Sequence, residues 1–160
     1  MKIRPAHVHL IMKILLAVFV ALSAVAWAEP IPNQPRLVGK TASLQDSSGR
    51  TTGSTSTNGN STTFRDASGR VTGSASQTPY GNQTYRDASG RITGSASSTD
   101  SATTYRDSSG RVTGTSSTYT SGMTTYRDAS GRVTGTSSVS GNTIIYRDAS
   151  GRVTGTANVR

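Results

Sequence analysis

Apolar residues follow two different patterns along this chain. From Ile14 to Leu22 they run without interruption, whereas beyond Ser43 they are sparse and periodic among Ser, Thr, Gly and Asn. In the second regime an aromatic is followed seven positions later by Val or Ile, and the whole phrase recurs five times. It reads aromatic, then Arg-Asp-(Ala/Ser)-Ser-Gly-Arg-(Val/Ile)-Thr-Gly, at Phe64–Gly73, Tyr85–Gly94, Tyr105–Gly114, Tyr126–Gly135 and Tyr146–Gly155. A worn copy, Leu44–Gly53, precedes them. A fixed period near 20 residues predicts a repeat architecture in which each unit buries its surface against its neighbours.

Each unit carries two turn signals. The first is Asp-(Ala/Ser)-Ser-Gly, in which Asp suits the first position of a type I turn and Gly supplies a positive φ. Its structural residues are Asp66 and Gly69, Asp87 and Gly90, Asp107 and Gly110, Asp128 and Gly131, and Asp148 and Gly151. The second signal is variable: Asn58-Gly59-Asn60, Pro79-Tyr80-Gly81-Asn82, Thr99-Asp100-Ser101, Ser121-Gly122 and Ser140-Gly141-Asn142. Counting from Asp46, the turn aspartates are spaced 20, 21, 20, 21 and 20 residues, and the additional residue falls in this variable half. The intervening segments are rich in Thr, Tyr, Val and Ile, which form strands well. Turn signals at this interval predict an all-β chain of tandem β-hairpins. The meander closes as a barrel or flower, or coils as a solenoid. Register decides which residues face inward. A four-residue loop sets Tyr85 opposite Ile92 and gathers the apolar side chains on one face, and it is the preferred reading. A three-residue loop with a Gly bulge instead pairs Asp87 with Arg91 and sets the tyrosine facing Thr93.

The N-terminus has a different composition. Lys2, Arg4 and Lys13 precede the apolar run, which fades into Ala26-Trp27-Ala28. A basic start, a short apolar middle and small residues at −3 and −1 predict a helical signal peptide over 1–28, cleaved after Ala28. Met12 offers an alternative start. The run is shorter than the roughly 20 residues that span a bilayer, and no later segment is apolar enough. The expected product is periplasmic or secreted, with a Pro-containing leader over 29–42 and a six-copy repeat domain over 43–160. Both histidines lie inside the signal and the chain has no cysteine, so the exported part has neither disulfides nor the usual metal ligands. With Lys2, Arg4 and Lys13 set aside, 14 basic residues face 8 acidic ones, a net charge of +6 that favours anionic partners. Large apolar side chains are few, so the competing reading is a Ser/Thr/Gly-rich chain without fixed structure.

The phrase Tyr-Arg-Asp-Ala-Ser-Gly-Arg-Val-Thr resembles the tyrosine–aspartate (YD, or Rhs) repeats of secreted bacterial proteins. It is also similar to small bacterial β-flower proteins built from radial aromatic-plus-Gly hairpins. The resemblance covers residues 43–157 and implies hairpin repeats and export from a bacterial cell. Here an arginine stands between the aromatic and the aspartate, at Arg65, Arg86, Arg106, Arg127 and Arg147, which shifts the side-chain phase relative to YD repeats.

Candidate chemistry follows from what remains. No catalytic residue and no cofactor is predicted, because His and Cys are missing from the exported part. Paired carboxylates that hydrolyse glycans are the remote enzymatic alternative. One Asp per turn, flanked by Arg, supplies too few oxygen ligands for calcium. Paired threonines such as Thr103-Thr104 suggest a water-ordering array, which the neighbouring arginines interrupt. The functional candidates are the repeat arginines, Arg65, Arg70, Arg86, Arg91, Arg106, Arg111, Arg127, Arg132, Arg147 and Arg152, which suit bidentate contacts to phosphate or carboxylate. The structural reading of the same residues pairs them with the aspartates and leaves them solvated. The expected partner is an anionic envelope polysaccharide or another polyanion, in a role such as adhesion. Self-association through open sheet edges is a second expectation.

Overall fold

A computed structural model describes residues 41–99 and 101–160. The predicted signal and nearly all of the leader lie outside them. The described residues form twelve antiparallel strands: β1 (Thr41–Asp46), β2 (Thr51–Asn58), β3 (Ser61–Asp66), β4 (Val71–Gln77), β5 (Gln83–Asp87), β6 (Ile92–Thr99), β7 (Ala102–Asp107), β8 (Val112–Thr118), β9 (Thr124–Asp128), β10 (Val133–Ser140), β11 (Thr143–Asp148) and β12 (Val153–Val159). Each strand pairs with its sequence neighbours, and β12 returns to pair with β1. The meander is therefore a closed barrel, in which the ladder runs through every strand. That closure compensates for a thin core by satisfying the backbone throughout. It also removes the open edges on which self-association by strand pairing was expected to rest.

The Asp-to-Gly corners are the predicted reversals, but the preferred four-residue loop is not what forms. In the β7–β8 hairpin the Gly110 amide donates to the Asp107 carbonyl at 3.0 Å, and the Asp107 amide donates to the Arg111 carbonyl at 2.9 Å. Gly110 sits at φ 83°, in the left-handed region. This is a three-residue loop with a glycine bulge. A second bulge follows at once. Arg106 faces Val112, but Tyr105 faces Gly114, so Thr113 is the additional residue. The same slip occurs in all six hairpins of this kind. Two bulges in succession move the tyrosine off both partners considered from sequence and seat its ring over a glycine. Val112 moves to the outer wall beside Arg106, so the aliphatic position of the repeat does not join the aromatics. Val71 and Ile92 are 37% and 45% exposed for this reason.

The glycine under the ring has a specific cause. A Cβ on Gly114 would collide with the backbone carbonyl oxygen of Arg127 on the next strand, and Gly53, Gly73, Gly94, Gly135 and Gly155 stand in equivalent contacts. Here the need is for close approach of two strands rather than for an unusual φ.

Inside the barrel, Leu44, Phe64, Tyr85, Tyr105, Tyr126 and Tyr146 form a girdle alternating with Gly53, Gly73, Gly94, Gly114, Gly135 and Gly155. Burying each large side chain stabilises by about 2 kcal/mol. Their polar ends are paired where the sequence supplies a partner. The Tyr105 hydroxyl bonds Ser116 Oγ at 2.8 Å, Tyr126 bonds Ser137 at 3.0 Å, and Tyr85 donates to Gln83 Oε1 at 2.9 Å. In the worn copy Leu44 stands where those tyrosines stand, and Thr55, which holds the position of Ser116 and pairs with Ala42, has its Oγ1 buried without a hydrogen-bond partner.

Each hairpin advances the register by two residues; Tyr85 faces Gly94, which on its other side faces Asp107 rather than Tyr105. Six such steps give a shear of twelve residues for twelve strands. With ordinary strand spacings that ratio fixes a tilt of about 35° and a backbone radius of about 11 Å. The outward wall is built mainly of Ser and Thr, including Thr63, Thr84, Thr104, Ser74, Ser95 and Thr115, with the arginines near one end.

Candidate arginine-lined binding face

All six Asp turns lie at the same end of the barrel, because they are the alternate connections of an up-and-down meander. Within each turn the carboxylate is consumed locally. Asp107 Oδ1 accepts from Ser109 Oγ at 2.6 Å, from the Ser109 amide at 2.9 Å and from the Arg111 amide at 3.0 Å. Asp46, Asp66, Asp87, Asp128 and Asp148 repeat this pattern with the serine and the arginine amide that follow them. Donation from the serine hydroxyl, followed by the arginine and serine amides, holds each carboxyl below its ordinary 3.8. The positive charge of the neighbouring arginine is the smallest contribution. The carboxylates are thus turn caps, rather than members of an ion-pair ladder with the arginines.

The arginines divide into two classes. Arg65, Arg86, Arg106, Arg127 and Arg147 leave the outer wall and reach back to the turn, each donating from Nη1 to the carbonyl of Gly69, Gly90, Gly110, Gly131 or Gly151 at 2.9–3.0 Å. Each keeps further guanidinium donors, now held in a fixed direction. In the first hairpin Gln45 replaces the wall arginine. Its Oε1 accepts from Asn158 Nδ2 at 3.2 Å and Thr156 Oγ1 at 3.4 Å across the β1–β12 seam. Arg70, Arg91, Arg111, Arg132 and Arg152, with Arg50, occupy the loops themselves and are exposed. Their amides serve the aspartates, while their side chains form no hydrogen bond among the described residues. All ten arginines singled out in the sequence, and Arg50, therefore come to one end. Eleven arginines against six aspartates leave that end at +5.

The opposite end has a different character, which the repeat phrase did not reveal. Its loops are Asn-, Gly- and Ser-rich, and the chain enters and leaves there, with the Arg160 amide donating to the Thr41 carbonyl at 2.8 Å. Two loops there are of the three-residue type, Thr78–Asn82 and Tyr119–Met123. The connections from Asn58 to Ser61 and from Ser140 to Thr143 at this end are two-residue loops. The longer loops are the origin of the 21-residue spacings. They also carry exposed large hydrophobic side chains, Tyr80 at 87%, Tyr119 at 51% and Met123 at 42%. The spacing itself was the signal that could have marked them.

No protein-family model and no curated protein matches this chain. A role therefore has to be sought in the geometry of the two ends. Among the described residues no group of three or more His, Cys, Asp or Glu is placed to hold a metal ion. Among the same residues no helix is long and apolar enough to cross a membrane.

Proposed function

We propose that the chain is an exported, non-enzymatic barrel that binds anionic polymers of the cell envelope through its arginine-bearing end, in the periplasm, at the cell surface or in the medium. The observation that carries this reading is the segregation of charge. Eleven arginines gather at one end, while the aspartates beside them are folded into their own turns and do not neutralise the outward guanidinium groups. Five of the arginines are also pinned to glycine carbonyls, which reduces the side-chain entropy lost when they bind an anion. A carboxylate held below its ordinary range is a poor general acid, which counts against a glycosidase. The hydroxyl-rich outer wall supports a barrel that stands in water, since a lipid-facing wall is apolar.

The test is retention of residues 29–160 on immobilised heparin and on lipopolysaccharide at low salt. Binding is expected to weaken linearly in the logarithm of salt concentration, as counterion release requires. Absence of retention on both matrices at low salt removes the proposal.

A further inference from the structure

We propose that the arginine end docks face-on against a planar layer of anionic lipid headgroups. This deepens the polyanion-binding reading and rests on it. Six turns on a ring of about 11 Å radius stand about 11 Å apart, and about 22 Å separates opposite turns. A linear polymer laid across such a ring meets two or three turns at once. A flat layer meets all six, and with them every loop arginine from Arg50 to Arg152.

Two further features favour the layer. Wall arginines such as Arg106 are anchored to the turn carbonyl at 3.0 Å, so their remaining donors are already fixed at the end of the barrel. Finally, Thr41 and Arg160 meet at the far end, so neither end of the described barrel lies at the rim.

The test uses residues 29–160 with vesicles of equal phosphatidylglycerol and phosphatidylcholine, vesicles of phosphatidylcholine alone, and soluble heparin, all at low salt. Co-sedimentation with the anionic vesicles and not with the neutral ones is expected. Arg70→Gln and Arg132→Gln, on opposite sides of the ring, are each expected to weaken vesicle binding about fivefold, at about 1 kcal/mol per arginine near an anionic surface. Neighbouring Arg70→Gln and Arg91→Gln should combine to the same loss as the opposite pair, because a plane meets every turn alike. None of these side chains holds the fold, so the circular dichroism spectrum and unfolding midpoint should not move. Binding to heparin without binding to vesicles overturns the lipid assignment and leaves the polyanion reading standing. Failure with both removes the two together. Vesicle binding that the substitutions do not change places the contact on another face and overturns the inference.

Discussion

The two glycines of the recurring phrase serve different needs, and the barrel predicts that they respond differently to the same methyl group. In the third full repeat, Gly110 lies in the corner at φ 83° with no atom within 4 Å of the place a Cβ would take, whereas Gly114 lies in β8 against the Arg127 carbonyl. Gly110→Ala meets no steric neighbour and places an L-residue in the left-handed region, at about 1–2 kcal/mol. Gly110→Asn should recover much of that loss, because Asn tolerates the same region. Gly114→Ala forces β8 and β9 apart at a backbone contact that has no rotamer to adjust. Overpacking of this kind costs about 1–3 kcal/mol, and loosening the ladder pairs of Gly114 with Tyr105 and Asp128 adds about 1 kcal/mol for each hydrogen bond lost. In a closed barrel the displacement cannot relax at a free edge, so with one hydrogen bond lost at each of the two pairs the total should be about 3–5 kcal/mol. The assay is urea unfolding followed in the far ultraviolet, comparing midpoints at constant slope. A Gly114→Ala protein as stable as Gly110→Ala would refute the close-approach account, and with it the double-bulge register.

Thr55→Val replaces a buried hydroxyl that has no partner with an isosteric methyl, and should raise stability by about 1 kcal/mol in the same unfolding assay; a loss of stability would show that the hydroxyl is satisfied. The turn carboxylates have folded pKa values below 3.8, so their stabilisation is complete above that value and is lost as pH falls from it through the lower folded values. The midpoint should be flat from neutrality to about pH 5 and drop below about pH 4, a fall that an Asp107→Asn protein should show less of. At the alkaline limit burial raises the core tyrosines; for Tyr105, raised to about 12 with Ser116 and Thr103 partly offsetting it, the stabilisation is complete below pH 10 and is lost as pH rises through about 12. Tyrosinate absorbance from Tyr85, Tyr105, Tyr126 and Tyr146 should therefore appear together with unfolding rather than before it.

Much of the architecture was legible because it is local. Asp at the first position and Gly at the last state the corner, and strand formers between turn signals state the hairpins. The 20- and 21-residue spacings also encode the alternation of loop lengths at the far end. Register was harder to read. A period of two is informative only while the alternation is unbroken, and here the bulges at Gly110 and Thr113 reset it twice within four residues. Separating apolar from charged side chains suggested Tyr85 opposite Ile92, but a strand crossing too close for a Cβ favoured Tyr85 over Gly94 instead. Closure was not readable from one unit, since shear accumulates only around the whole ring. The candidate site was legible as a set of residues and not as a geometry. The arginines could be named from the phrase, but their convergence on one end follows from the meander. The division into pinned Arg106 and unpinned Arg111 follows from the corner.

The two-residue advance per hairpin has an evolutionary consequence. Duplicating one unit adds two strands and two residues of shear together, so a seven-unit descendant keeps its strand tilt of about 35° while its radius grows to about 13 Å. The backbone ladder accepts such growth without distortion. The axis does not, because tyrosine side chains of fixed length would retreat from the centre and leave a channel that small partners such as Ser116 and Ala96 cannot fill. Copy number in this fold is thus limited from within, by the reach of a phenol ring.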